Sequence, residues 1–214
     1  MKLSYLLIIF SFVRSHGFKV NVIKSLYYTH RFKGCCIVGD STIICKNGGG
    51  VFLKSPDSVL TIGISGTTSV PSQLLLEGQL IVKGNVDLYK GIKIVVRKDA
   101  LLSIGGGTYI NEYSRIFCAN QVAIGESCAI SWNVNIMDTD MHEIYTDDLL
   151  INSDAKVLIG DKVWIGANTF VTKGTCVSDN VIIGANTITS KELKSGSMYI
   201  GNPSKPIKRF DKWK

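Results

Sequence analysis

The sequence is short of the residues that mark several common protein classes. It has four prolines and three histidines in 214 residues, and its six cysteines include no Cys-x-x-Cys pair. The absence of that pair excludes the usual spacing of zinc ribbons and of thiol redox motifs. A chain of this length does not need a disulfide framework either. We therefore interpret the cysteines as reduced, small apolar side chains.

Nucleic-acid binding is not indicated. The net charge is +7, from 24 Lys and Arg against 17 Asp and Glu, but no basic cluster alternates with aromatic residues as it does in single-strand binders. Hydrophobic residues make up 45% of the chain and charged residues 19%, a balance that predicts a buried core rather than disorder. The 21 glycines indicate many tight turns. An anionic partner other than nucleic acid fits this charge.

Residues 1–33 form a segment of distinct composition. Lys2 precedes an apolar run from Leu3 to Val13, which is the size of a signal-peptide core and too short to cross a bilayer as a helix. The residues after it lack a small-x-small cleavage signature, and apolar and basic residues then alternate up to Lys33, as in an amphipathic helix. We predict a helical cap on the main domain rather than a cleaved signal, with peripheral membrane contact through residues 1–30 as a further expectation.

A six-residue repeat dominates the rest of the chain. From Ile159, five consecutive hexads each begin with Ile or Val and carry Val or Thr in the fifth place. The same period runs from Ile92 to Ile116 and, shifted by two residues, from Ile124 to Ile136. Six is not the period of an amphipathic helix, and β-branched residues suit short strands between frequent turns. Each unit cannot bury its apolar face alone, so the repeat predicts a stack of coils.

The pattern [Ile/Val]-[Gly/small]-x-x-[Ser/Thr/Val]-x resembles that of the hexapeptide-repeat acyltransferases, clearly over residues 80–210. The resemblance implies an all-β fold, a left-handed parallel β-helix with three hexapeptides in each coil, and a homotrimer with its sites between subunits. We expect the β-helix to span residues 34–200, with irregular coils over 34–79. A short N-terminal helical segment would precede it, and a basic tail, residues 201–214, would follow it.

The repeat is interrupted between Ile136 and Val157, and we predict an extruded loop at 137–156. A loop held at both ends by a rigid solenoid is a common place for function. His142, the only histidine beyond residue 30, could act as general base on a hydroxyl that attacks a thioester. Asp140, in preference to Asp138, could orient its imidazole. The motif Asp-x-Asp-x-His looks like the active-site loop of the family's sugar O-acetyltransferases.

The resemblance also implies where coenzyme A would bind. Gly166-Ala167 and Gly184-Ala185 match small residues whose backbone contacts the pantetheine arm, although the corners of the coil could need small residues for steric reasons alone.

Four further residues match positions near the cofactor in the family. Ser190 and Lys191 correspond to positions near the pantetheine and the phosphates, and Lys205 and Lys208 to basic residues that face the nucleotide's phosphates. A plain solvated basic tail is an equal alternative for each lysine.

Two residues are candidates for the acceptor site. Asn111 is the nearest match to an acceptor-binding asparagine of related sugar acetyltransferases. Trp164 would line the pocket or pack at a subunit seam. Related prism-shaped carbonic anhydrases bind a metal with three histidines, and one histidine in the repeat cannot supply that site, so we predict no metal.

These features together predict an O-acetyltransferase that moves acetyl from acetyl-CoA to a hydroxyl of a saccharide, free or lipid-linked, in capsule, lipopolysaccharide or exopolysaccharide assembly. A sugar N-acetyltransferase or another small-molecule acetyltransferase is the main alternative, although no nucleotide-sugar module is visible. A non-catalytic β-helix is less favoured, because it has no use for an extruded His/Asp loop. Because acetyl-CoA is cytosolic, we expect a cytoplasmic protein, at the inner face of the plasma membrane if residues 1–30 contact it.

Overall fold

The computed structural model describes residues 2–213, except for the side chain of Phe18, and consists of two helices followed by a three-sided coil of short strands. Helix α1 spans Leu3–His16 and helix α2 spans Val22–Phe32, with a 3-10 turn at Gly17–Lys19 between them. The first strand begins at Cys35, two residues after the second helix ends in the left-handed conformation of Lys33 (φ 55°).

Successive strands contribute in rotation to three sheets, which form the three sides of a prism. Sheet 1 contains β1 (Cys35–Val38), β4 (Val59–Ile62), β7 (Val86–Leu88), β10 (Thr108–Ile110), β13 (Ala129–Ile130), β18 (Trp164–Ile165), β21 (Ile182–Ile183), β24 (Ser197–Ile200) and β25 (Lys205–Arg209). Sheet 2 contains β2 (Thr42–Lys46), β5 (Ser72–Leu76), β8 (Lys93–Val96), β11 (Arg115–Cys118), β14 (Asn135–Met137), β19 (Phe170–Val171) and β22 (Ile188–Thr189). Sheet 3 contains β3 (Gly50–Leu53), β6 (Gln79–Lys83), β9 (Leu101–Gly105), β12 (Gln121–Ile124), β17 (Val157–Ile159), β20 (Cys176–Val177) and β23 (Glu192–Leu193).

The strands within each sheet pair in parallel, except that β25 runs antiparallel to β24. A separate antiparallel hairpin, β15 (Tyr145–Thr146) and β16 (Leu149–Leu150), lies outside the three sheets. We name the edges of the prism by the sheets they join: the first edge joins sheets 1 and 2, the second joins sheets 2 and 3, and the third joins sheets 3 and 1.

The six-residue repeat corresponds to the geometry of the coil. Trp164 pairs with Ile182 and Phe170 with Ile188, each eighteen residues on, which is three hexads per coil. The first and fifth places of the five hexads from Ile159 are all buried. Upstream, Ile116 pairs with Ile136, twenty residues on. The two additional residues explain why the repeat shifts by two between these segments.

The earlier coils are wider and less regular. Thr42 pairs with Ser72, thirty residues on, and Gln79 pairs with Leu101, twenty-two residues on. The interior nevertheless stays continuous, since one apolar cluster extends from Phe32 to Tyr199. Threonines enter this core because their hydroxyls are satisfied inside it: Thr175 Oγ1 donates to the carbonyl of Thr189 at 3.1 Å.

The N-terminal helices cover the first coil. Strand β1 is the edge strand of sheet 1, and hydroxyls of α2 satisfy its free backbone groups: Ser25 Oγ accepts from Val38 N at 2.9 Å and Thr29 Oγ1 from Cys36 N at 3.0 Å. Phe32 closes the end of the core. Within residues 2–213, no helix is long and apolar enough to cross a bilayer.

Candidate active site

The chain leaves the prism at the second edge, between β14 and β17, and Asp138 fixes the base of this loop. Its buried carboxylate accepts hydrogen bonds from Ala119 N at 2.7 Å and Asn120 N at 2.8 Å, the corner of the preceding coil. Its carbonyl accepts from Ala155 N at 3.0 Å, near the other end of the loop. Asp138 therefore joins both ends of the loop to the prism.

The same carboxylate affects a neighbouring cysteine. Cys118 Sγ lies 3.8 Å from Asp138 Oδ2. Burial first, and then the charge of Asp138, raise the pKa of the Cys118 thiol to about 12. This cysteine stays neutral and unreactive at neutral pH, as expected of a small apolar side chain in the core.

A lysine from the next coil anchors the loop itself. Lys173 lies at the second edge between β19 and β20, and only 19% of its side chain is exposed. Its ammonium is 2.9 Å from Asp140 Oδ2 and 3.0 Å from the carbonyl of Ser153, and it also donates to Asn152 Oδ1. One cation thus holds both limbs of the loop against the prism.

His142 follows directly from this anchored segment. Its backbone carbonyl accepts a hydrogen bond from Asn152 Nδ2 at 2.9 Å. The residue is exposed and lines a cavity of about 370 Å³. The cavity is bounded by the second edge and the loop, with Arg97, Phe117, Ala119, Thr139, Met141, Glu143, Leu150, Asn152, Ser153 and Asp154 as its other lining residues. The imidazole is therefore accessible to a ligand in this cavity.

Within residues 2–213, neither predicted orienting carboxylate forms a hydrogen bond with the His142 imidazole. Asp140 is occupied by Lys173, because the neighbouring coil places a nearly buried cation beside it. Asp138 is buried beneath the loop, and both of its oxygens accept backbone N–H groups. In the part of the chain that is described, no hydrogen bond joins the His142 imidazole to another group. Both aspartates position the loop rather than the ring.

Lys173 is the residue of this site that sequence reasoning missed. It occupies a turn position of the hexad that begins at Val171, the third of the five regular hexads, where a solvent-exposed lysine is common. Its position one coil beyond the loop, at the same edge, could have indicated this role. That position can be recognised only after each hexad has been assigned to one of the three sides of the prism.

The small residues predicted to contact coenzyme A lie at a different edge from His142. Gly166-Ala167 and Gly184-Ala185 form consecutive corners of the first edge. A Cβ atom at Gly166 would lie 2.5 Å from Ala185 N and 2.8 Å from the carbonyl carbon of Gly184. Stacking of the coils therefore requires glycine at position 166 whether or not a ligand binds there, and contact with coenzyme A stays a prediction.

The other predicted cofactor residues divide between the second edge and sheet 1. Ser190 and Lys191 lie at the second edge, one coil beyond Lys173, and both are exposed. Lys205 and Lys208 lie on β25, where they pair with Ile200 and Met198 of β24. The predicted basic tail therefore includes an exposed antiparallel strand of sheet 1.

The candidate acceptor residues are also away from His142 within one chain. Asn111 lies at the first edge, and its N–H donates to the carbonyl of Ile130 at 2.9 Å. Trp164 is 41% exposed on sheet 1, where its Nε1 donates to Ser131 Oγ at 3.3 Å and its ring lies 6.2 Å from that of Trp213. Across residues 2–213, no group of three or more His, Cys, Asp or Glu side chains is placed to hold a metal ion.

The three-sided coil of parallel strands resembles the fold of a solved acetyltransferase. The solved structure of the polySia-specific acetyltransferase NeuO superimposes on 85% of this chain and 78% of its own, with a TM-score of 0.56 and 26% identity. The similarity confirms the predicted left-handed parallel β-helix and the predicted resemblance to the hexapeptide-repeat acetyltransferases.

In sequence, the chain is similar to two polysialic acid O-acetyltransferases. It is 33% identical to that of Escherichia coli O1:K1 over 134 residues, 62% of this chain and 41% of the relative, and 31% identical to that of Neisseria meningitidis over 110 residues, 49% and 51% of the two chains. The chain thus spans about half the length of the curated relatives it matches. No family model matches it.

Proposed function

We propose that this protein is an O-acetyltransferase that transfers acetyl from acetyl-CoA to a hydroxyl of a polysaccharide, with His142 as general base. The observation that carries the proposal is an exposed histidine at a cavity, on a loop that Asp138 and Lys173 hold against the prism. The similarity to polysialic acid O-acetyltransferases supports this reaction and makes an anionic capsular polysaccharide the first acceptor to test.

The chemistry follows from the weakness of a sugar hydroxyl as a nucleophile. A neutral His142 imidazole would take the hydroxyl proton while the oxygen attacks the thioester carbonyl. The tetrahedral intermediate would then collapse, breaking the carbon–sulfur bond and forming the ester. The departing thiolate would recover the proton from the imidazolium, so that free coenzyme A leaves and the histidine is neutral again.

The positions of the predicted residues favour a site shared between subunits. His142, Ser190 and Lys191 lie at the second edge, whereas Gly166-Ala167 and Gly184-Ala185 lie at the first edge. One chain cannot present both edges to a single ligand that lies along one of them. In a homotrimer, the second edge of each subunit would face the first edge of the next, and three complete sites would form between subunits.

The test is release of free coenzyme A from acetyl-CoA in the presence of polysialic acid. We expect His142→Ala to lower the acceptor-dependent rate at least about a hundredfold, the usual contribution of a general base, and His16→Ala, in α1, to leave it unchanged. Mild alkali should release the acetyl group from the product, because esters are labile and N-acetyl groups are not. Full turnover by His142→Ala would refute the catalytic assignment, and alkali-stable product would favour N-acetylation.

A further inference from the structure

Helix α1 carries an apolar face that its own fold does not cover. Leu3, Leu7 and Phe10 are 73%, 65% and 60% exposed and follow one another at one-turn spacing. The opposite side of the helix is fully used, since Tyr5 and Ile9 pack in a cluster with Cys35 of β1. The helix is thus apolar on both sides, and packing within the chain explains only one of them.

This outer face cannot turn inward. The hydroxyl of Tyr5 donates to the carbonyl of Pro56 at 3.0 Å, which ties α1 to the loop after β3, and Ile9 is completely buried. The adjoining helix α2 also exposes Ile23 (81%) and Tyr27 (60%), again one turn apart. Exposed apolar residues grouped on fixed helices mark an interaction surface rather than the scattered exposure of an ordinary surface.

The segment that contains the two N-terminal helices, residues 2–39, carries charges of one sign only. The first acidic residue of the chain is Asp40, and residues 2–39 contain only basic charges: Lys2, Arg14, Lys19, Lys24, Arg31 and Lys33. An apolar helix face within a purely basic segment is complementary to a surface that is apolar inside and anionic outside.

A basic cavity lies at the end of α1 from which the apolar face starts. Its volume is about 540 Å³, and its lining residues are Lys2, Tyr5, Thr29, His30, Arg31 and Lys33. The lining contains no carboxylate, and Lys2 adjoins the first exposed leucine. A phosphate group on a lipid would find hydrogen-bond donors and positive charge there while its chains extend beside Leu3.

We propose that the N-terminal helices dock the protein on the surface of an anionic bilayer. The outer face of α1 lies between the lipid headgroups and the acyl chains, and the cavity lined by Lys2, Arg31 and Lys33 binds a lipid phosphate. A helix of 14 residues is about 21 Å long, shorter than the apolar thickness of a bilayer, so it lies along the membrane rather than across it. This inference is independent of the proposed reaction, because it uses none of the residues of the candidate active site.

The test is co-sedimentation of the full chain with vesicles of phosphatidylcholine alone and of phosphatidylcholine mixed with phosphatidylglycerol. We expect binding to the mixed vesicles only. The double variant Leu7→Glu/Phe10→Glu should bind at least about tenfold more weakly. The variants Arg31→Ser and Lys33→Ser should each weaken binding about fivefold, the effect of one cation at such a surface.

Matched controls are Ile43→Glu, an exposed apolar residue of β2, and Lys83→Ser, an exposed lysine of β6; both should bind like the wild type. Inorganic phosphate at equal ionic strength should compete no better than chloride if the ligand is lipid. Equal binding of wild type and Leu7→Glu/Phe10→Glu would overturn the proposal. The proposal would also be overturned if the wild type bound no vesicles and light scattering showed that Leu7→Glu/Phe10→Glu had lost an oligomer. A second copy of the chain would then cover the apolar face of α1.

Discussion

At the scale of single residues, neighbouring groups decide what each aspartate of the loop does. Asp138 and Asp140 are two positions apart in sequence, yet one meets the backbone of the preceding coil and the other a lysine of the following coil. A buried carboxylate that accepts two backbone N–H groups is a structural anchor, since removing it leaves both donors without that partner. Spacing alone could not distinguish that role from orientation of His142.

Asp138→Asn should destabilise the fold by about 3 kcal/mol, because one charge-assisted hydrogen bond is lost and an amide N–H₂ is turned toward backbone donors. Thermal unfolding followed by circular dichroism would measure the loss. Asp57→Asn, an exposed turn residue, is the matched control and should unfold at the wild-type temperature. Equal midpoints for the two variants would contradict the anchoring role.

The six cysteines should divide into two classes on treatment with iodoacetamide. Burial raises the pKa of the thiols of Cys35 and Cys128 to about 11 and that of Cys36 still higher, and it does the same for Cys118. Raised values mean less thiolate at neutral pH, and the thiolate is the reacting form. Only the exposed Cys45 and Cys176 should therefore be labelled in the native protein.

Mass spectrometry of peptides would count the labelled sites, with four more appearing after denaturation. The result also matters for the enzyme assay, since Cys45 and Cys176 would contribute a background to any thiol reagent used to detect coenzyme A. Rapid native labelling of Cys36 or Cys118 would show that the first coil or the base of the loop opens in solution.

At the scale of structural elements, the position of the loop depends on contacts from a different coil. Lys173→Met should release Asp140, Asn152 and Ser153 together, so that His142 samples positions away from the cavity. We expect the turnover number to fall about tenfold or more with little change in the KM for acetyl-CoA, since positioning and not binding is lost. Steady-state kinetics would separate the two.

Lys156→Met is the control for Lys173→Met, because Lys156 is exposed near the end of the same loop. Hydrogen exchange should accelerate over residues 138–156 in the Lys173 variant alone. Unchanged exchange together with reduced turnover would mean that Lys173 acts directly on a substrate instead of holding the loop.

The regular elements were predictable from sequence to the extent that the repeat is strict. From Ile159 to Thr189 each coil has three hexads, so the first and fifth places identify the buried residues, whereas the last coil is two residues shorter and pairs Cys176 with Glu192. The wider coils before residue 79 could not be aligned, because their corners differ in length and the pairing of Thr42 with Ser72 leaves no periodic signal. The loop histidine was predictable as an interruption of the repeat, whereas its anchor, Lys173, comes from the next coil and is a tertiary contact.

At the scale of the whole molecule, the three-sided coil separates residues that the proposed reaction requires together. Consecutive coils stack directly, so a residue stays at its edge along the whole prism. His142 belongs to the second edge and Gly184-Ala185 to the first, with sheet 2 between them. Under the proposed reaction, an acetyl-CoA held at the first edge would therefore meet the His142 of another subunit.

Mixing two inactive variants tests this arrangement. His142→Ala removes the base, and Ala185→Trp, at an exposed corner, should block the approach of coenzyme A to the first edge. If the sites lie between subunits, refolding the two variants together should restore turnover, because some interfaces then combine an intact histidine with an intact corner. Two differently tagged copies would confirm that mixed oligomers form, and mixing His142→Ala with His142→Gln should restore nothing. Mixed oligomers without recovered turnover would mean that each chain holds a complete site, and the separation of the two edges would then require the cofactor to bind at the second edge beside Ser190 and Lys191.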